Sequence, residues 1–231
     1  MIGTNRYIGS PVERVEDFRF LRGRGEFVGD LRREGMLHAA ILRSPVAHGR
    51  IRNLDGTAAR AIPGVRAVIA AAEIGAVPRI PLRLLPLPGT ERFLQPVIAA
   101  DRVRYVGEPI AVVLADSAAL AEDGVGSIAL DIEELAPVAD RRASGKNEIL
   151  LFEEAGTNRA MTFTAVSGDA DTAFREAEYT RRERFSVQRH TALPMEPRGV
   201  LAEWDAVQGR MTVLGAAKVP FFNRDTLAAM L

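Results

Sequence analysis

Residues 23–51 read GRGEFVGDLRREGMLHAAILRSPVAHGRI, a glycine-rich, charged lead that gives way to an apolar run and then to a polar stop. Within it, residues 36–42 carry apolar side chains on both parities, which predicts a strand buried on both faces rather than an amphipathic edge strand. Ser44-Pro45 ends that strand, since proline brings no amide hydrogen to a ladder. Further on, Asp55-Gly56-Thr57 offers a helix start, residues 58–62 a helical turn, Pro63-Gly64 a stop, and residues 65–71 another strand.

Prolines at 78, 81, 86, 88 and 96 break any regular element between residues 76 and 96, so this stretch reads as a surface loop. Regular patterning resumes with strands at 103–106 and 110–114, a helix from about Asp116, ended near Gly124 and Gly126, and a strand at 127–133. Residues 137–147, with Arg141, Arg142, Ser144, Gly145 and Lys146, read as a linker. Beyond it, Gly168-Asp169 precedes a short amphipathic helix to about Glu178, and residues 180–188 alternate with the period of a strand. Strands at 200–204 and 211–214 flank a turn at Gln208-Gly209, and a helix is expected over 224–231. The predicted class is α+β: an extended extension at 1–22, one domain at 23–140 and a second at 148–231.

Hydrophobic residues make up 47% of the 231, enough to bury a core, so general disorder is excluded. Thirty basic residues balance thirty acidic ones, which gives no overall attraction to nucleic acid. The absence of cysteine removes disulfides, thiolate metal sites, iron–sulfur ligation and a thiol nucleophile together. The first ten residues lack a cationic segment followed by an apolar run, and no stretch approaches the roughly 18 apolar residues of a membrane span, so a cytoplasmic protein is expected. His38, His48 and His190 are too far apart for a local metal motif; hydrogen bonding to backbone is the simpler expectation for the latter two.

The run 23–51, together with DRVRYVGEPIAVVLA at 101–115 and the segment 121–140, resembles the α/β hammerhead domain of molybdenum hydroxylases such as xanthine dehydrogenases, aldehyde oxidases and aerobic carbon monoxide dehydrogenases. GDADTAF at 168–174 and ERFSVQRHTALPMEPRGVLAEWD at 183–205 resemble the start of the molybdopterin-binding domain that follows it. The resemblance runs from about residue 8 to residue 231 and implies a hammerhead followed by the incomplete first part of a cofactor domain.

Glu196 and Arg198, between Pro194 and Gly199, either shape the entrance to a cofactor domain or form a buried structural ion pair at a turn. Glu108, in Gly107-Glu108-Pro109, reads as part of a surface turn. Arg43, His48 and Arg50, beside Ser44-Pro45, either present a polar patch to a partner subunit or solvate a strand end. The resemblance places Lys218 where the family commonly has a glutamine near the molybdenum, and Phe221 where a histidine is frequent. Lysine keeps a donor for an anionic oxygen but adds a full charge and loses the amide's acceptor.

The resemblance further implies hydroxylation of an aldehyde or N-heterocycle, or oxidation of carbon monoxide, with oxygen taken from water. It implies a molybdenum–molybdopterin cofactor, in its cytosine dinucleotide form. The partners implied are the rest of the cofactor-binding subunit, an iron–sulfur subunit and an FAD subunit. The family's later glycine-rich segment and its glutamate base are not in this sequence, so a split or truncated subunit, inactive and cofactor-free alone, is expected. The competing expectation is a non-catalytic interaction module that keeps the hammerhead fold.

Overall fold

The structure, a computed structural model, describes residues 8–83, 87–187, 191–196, 198–215 and 217–231. In chain order, the first elements are α1 (Asp17–Leu21), β1 (His38–Arg43), β2 (Gly49–Asp55), α2 (Thr57–Arg60), β3 (Val65–Ala70) and α3 (Ala71–Ile74). There follow β4 (Arg102–Val103), β5 (Pro109–Ala115), α4 (Ala118–Gly126), β6 (Ala129–Glu134), α5 (Arg141–Ser144), α6 (Ala170–Glu176), β7 (Val200–Asp205), β8 (Arg210–Gly215) and α7 (Pro220–Met230). These elements group into two compact units, Gly35–Phe185 with Val219–Leu231, and Met1–Glu34 with Ser186–Lys218.

The larger unit holds two antiparallel three-stranded sheets, ordered β1-β5-β3 and β4-β2-β6. β5 is central because its sequence, PIAVVLA, is apolar on both parities; Ile110, Ala111, Val113 and Ala115 are wholly buried. Burying a Val or Ile side chain contributes about 1.5–3 kcal/mol, so β5 anchors this unit. Helix α4 starts where the Ser117 hydroxyl accepts the Leu120 amide (3.2 Å) and packs on β1 and β5. It lies close because Ala121 and Gly124 face the sheet: a Cβ on Gly124 would sit 2.7 Å from Val113 Cγ1. A second cluster, Ala99, Val103 and Ile110, is packed by Ile51, Leu54, Leu130 and Ile132.

The smaller unit contains α1, a 3-10 turn at Val28–Asp30 and the β7–β8 hairpin, paired from Val200↔Gly215 to Asp205↔Arg210. The Asp205 carboxylate closes the turn by accepting the Val207 and Gln208 amides at 2.9 and 3.0 Å. Neither hairpin strand has a buried residue.

Several expectations need correction. β1 is an edge strand whose residues alternate in exposure, with Ala40 buried and Ile41 41% exposed, because α4 covers only one of its faces. The strand β2 had no sequence signal: a register shift between Ile51 and Asn53 places its apolar residues Ile51 and Leu54 three apart, which breaks a period of two. Residues 180–187 form no strand, for all their alternation, since among the described residues no neighbour supplies ladder partners; residues 188–190, with His190, lie outside the described set. The lead-in contains α1, the expected linker contains α5 capped by Asp140, and α7 begins at Pro220 rather than at residue 224.

Candidate functional site

Glu196 lies on the loop before β7, half-buried, and its carboxylate accepts the backbone amide of Val28 at 3.3 Å. It thereby fastens this loop to the 3-10 turn, whose own start is closed by Asp30 accepting the Phe27 amide at 3.1 Å. Arg198 is exposed and forms no ion pair with Glu196 among the described residues, so the expected buried pair is not made. A backbone N–H satisfies the carboxylate in its place; Pro197, between the two, lies outside the described residues.

Lys218 is exposed and has no ion pair among the described residues. Separately, α7 has Pro220 in its first turn, no side-chain cap, and Phe221 73% exposed. An exposed ammonium, and an 11-residue helix whose first amides are uncapped, are both donors suited to an anionic oxygen. No group of three His, Cys, Asp or Glu side chains is placed to hold a metal ion among the described residues. Each of these donors, taken by itself, has the chemistry to meet an anionic oxygen such as a pterin cofactor carries.

The Arg43, His48 and Arg50 group is not one surface patch. Arg43 and Arg50 are exposed, whereas His48 is only 4% and Ser44 only 2% exposed. His48 Nδ1 meets the Ala136 carbonyl at 2.9 Å, as backbone bonding predicted, while its buried Nε2 has no partner among the described residues. Ser44 is turned inward by its own hydroxyl, which donates to the Val46 carbonyl at 2.7 Å, and by backbone exchange with Gly107 and Glu108. Arg43 donates to the Gly107 carbonyl at 2.9 Å.

Glu108 also departs from expectation: it is 2% exposed, not on a surface turn. Its carboxylate accepts the Arg104 amide at 2.5 Å, and burial pushes its pKa above the ordinary glutamate value. Gly107, at φ +90°, makes the tight reversal that brings Glu108 back over residues 104–105. The missed signal is positional: a carboxylate four residues after Arg104, placed to accept the Arg104 amide just past the end of β4.

Sequence reasoning also passed over a cavity of about 340 Å³ lined by Arg79, Asp101, Arg102, Arg104, Glu153 and Glu154, among others. Arg102, 8% exposed, pairs there with Glu153 at 2.9 Å, which holds the Glu153 carboxyl below the usual glutamate range.

Residues 22–136 match the family model described as aldehyde oxidase and xanthine dehydrogenase, a/b hammerhead domain, and residues 151–231 match the molybdopterin cofactor-binding domain. The nicotine 6-hydroxylase large subunit of Paenarthrobacter nicotinovorans is 36% identical over 99% of this chain and 28% of its own length. The carbon monoxide dehydrogenase large chain of Hydrogenophaga pseudoflava is 31% identical over 94% of this chain and 28% of its own. Quinoline 2-oxidoreductase from Pseudomonas putida 86 superposes with a TM-score of 0.79 at 33% identity, covering 96% of this chain and 28% of that one. The chain thus spans a little over a quarter of these relatives, with both domain matches in the order its sequence suggested. It belongs to the molybdenum hydroxylase family, of the xanthine dehydrogenase, aldehyde oxidase and carbon monoxide dehydrogenase kind, and carries that family's hammerhead domain followed by part of its molybdopterin-binding domain.

Proposed function

We propose that the chain is a component of a cytoplasmic molybdenum-dependent oxidoreductase that hydroxylates an N-heterocycle with oxygen from water. The observation that carries this reading is the pair of ordered matches, hammerhead at 22–136 and cofactor-binding at 151–231. The gap between the two matches, from 136 to 151, also supports a domain division at 137–147. Nicotine and quinoline, named in two relatives at 36% and 33% identity, put N-heterocycles ahead of aldehydes and of carbon monoxide.

When bound, a molybdenum–molybdopterin group, in the cytosine dinucleotide form, supplies the two-electron chemistry. Lys218 would offer its ammonium to an anionic oxygen of that group, with a full positive charge where an amide would bring none. Phe221 contributes an exposed apolar side chain, and Glu196 holds its own loop in place through Val28. The glycine-rich segment and the base come from the remainder of the cofactor-binding subunit, and electrons leave through iron–sulfur and FAD subunits. In this reading the chain alone is inactive and holds neither metal nor pterin.

The test is elemental analysis and pterin fluorescence of the chain purified alone and together with those subunits. Molybdenum and pterin in the assembly, and neither of them in the isolated chain, is the expected outcome. Stoichiometric metal in the isolated chain would show that the cofactor contacts are misplaced. The second reading, a non-catalytic interaction module, is favoured by the coincident departures at Lys218 and Phe221, and an assembly free of metal and pterin would support it.

A further inference from the structure

β4 covers only Arg102–Val103, yet its alternation continues through Arg104. Val103 is wholly buried with Ala99 and Ile110, so Arg102 and Arg104 project to the opposite side. Arg102, with a side chain 9% exposed, grips the Glu153 carboxylate through both terminal nitrogens, at 2.9 and 3.1 Å. Arg104 donates from Nε to the Leu151 carbonyl at 2.8 Å, and its guanidinium lies 4.4 Å over the Phe152 ring. That ring also packs edge-on against Phe93 at 5.4 Å. Buried Glu108 fixes where Arg104 starts by accepting its amide.

The segment so held is closed on itself by two asparagines. The Asn158 amide donates to the Ile149 carbonyl at 2.6 Å and to the Ser144 carbonyl at 3.3 Å, and its oxygen accepts the Leu151 amide at 3.0 Å. Asn147, in a left-handed conformation, accepts the Asn158 amide at 2.9 Å. Three consecutive residues, 151–153, therefore present a carbonyl, a ring and a carboxylate to two neighbouring guanidiniums.

Arg102 and Arg104 fall within the hammerhead match, which ends at 136, while the cofactor-binding match begins at 151. We infer that Arg102 and Arg104 form a two-pronged clamp that seats the entry segment of the cofactor-binding part, residues 151–153, on the hammerhead. The joint between the two matched regions is then a fixed seat, with Arg102 as its built half: a guanidinium this buried is costly to leave without a counter-charge. Both arginines are positioning residues. The clamp is independent of which reaction the assembled enzyme performs.

Hydrogen–deuterium exchange on the full chain tests it. In Glu153→Gln and in Arg104→Ala, amides at 150–157 should exchange roughly tenfold faster while those of β5 keep their protection. Glu153 is mostly exposed, so Glu153→Gln leaves the core intact and remains informative even if an arginine variant folds poorly. Glu153→Arg should loosen the segment, and combining it with Arg102→Glu should restore its protection at least in part. Exchange at 150–157 indistinguishable from the parent in Glu153→Gln and Arg104→Ala, or acceleration spread equally over β5, would overturn the clamp.

Discussion

β5 and the β7–β8 hairpin read almost equally well as strands in the sequence, yet they fold under different conditions. Ile110, Ala111, Val113 and Ala115 of β5 are wholly buried, whereas Val200, Trp204 and Val213 are 73%, 59% and 41% exposed. β5 has β1 and β3 on its two edges and α4 on a face; among the described residues β7 and β8 pair only with each other. An apolar pattern thus states that a face needs cover without saying what covers it. An isolated two-stranded hairpin is marginal in water, so the pairing in β7–β8 carries little of the stability of this chain.

The sharpest way to break that contrast is to truncate one apolar side chain in each region. Ile110→Ala is expected to lose about 2–5 kcal/mol in denaturant unfolding, the range for a fully buried aliphatic residue. Val200→Ala should stay within about 0.5 kcal/mol, as for a surface change. Similar losses at both positions would mean that the hairpin is covered in solution.

Next in size is Glu108→Ala, which strands the Arg104 amide beside β5 and should cost about 1–3 kcal/mol. Its pH signature sharpens the comparison between buried and exposed carboxylates. Because burial raises the Glu108 pKa, its contribution is complete below the ordinary glutamate value and is lost as pH rises through the raised one. Glu108→Gln should flatten that slope. Glu153 runs the other way: Arg102, then Arg50 and His48, lower its pKa, so its contribution is present above the ordinary value and is lost as pH falls through the lowered one. Exchange at 150–157 should therefore speed up, relative to β5, only in acid, and a pH-independent ratio would contradict it.

Smaller still is Ser117→Ala, which removes the cap of α4 and should cost about 1 kcal/mol by thermal unfolding. The smallest effect is spectroscopic. Trp204, at 59% exposure, should be quenched readily by acrylamide in the folded chain; protection of its indole would show that the hairpin face is covered.

The parts legible in the sequence were those set by local rules. β3, β5, α4, β6 and the β7–β8 turn follow from apolar runs bounded by Pro, Gly, Ser and Asp, and the family from ordered motifs along the chain. What escaped depended on partners distant in sequence. The bulge in β2 disguised its period, β1 was given two buried faces because its pattern does not record how many neighbours it has, and residues 180–187 alternate without a ladder. At the site, Glu196 and Arg198 suggested a pair by proximity in sequence, while the actual partner of Glu196 lies at Val28. Glu153 carried no motif at all; only the fold brings it to Arg102.

The Arg-Val-Arg alternation of β4 also bears on how the chain finds its register. β4 meets β2 over only two residue pairs, Gly49↔Val103 and Arg50↔Arg102, too few for hydrogen bonding alone to choose among alignments. A slip of one residue would drive a guanidinium in among Ala99, Ile110 and Ile51 and turn Val103 out toward the polar cavity. Burying an unpaired charge costs several kcal/mol, more than so short a ladder can return. The briefest strand in the sheet thus has its alignment fixed by its own side chains, because a misaligned copy would bury a charge that its short ladder cannot offset.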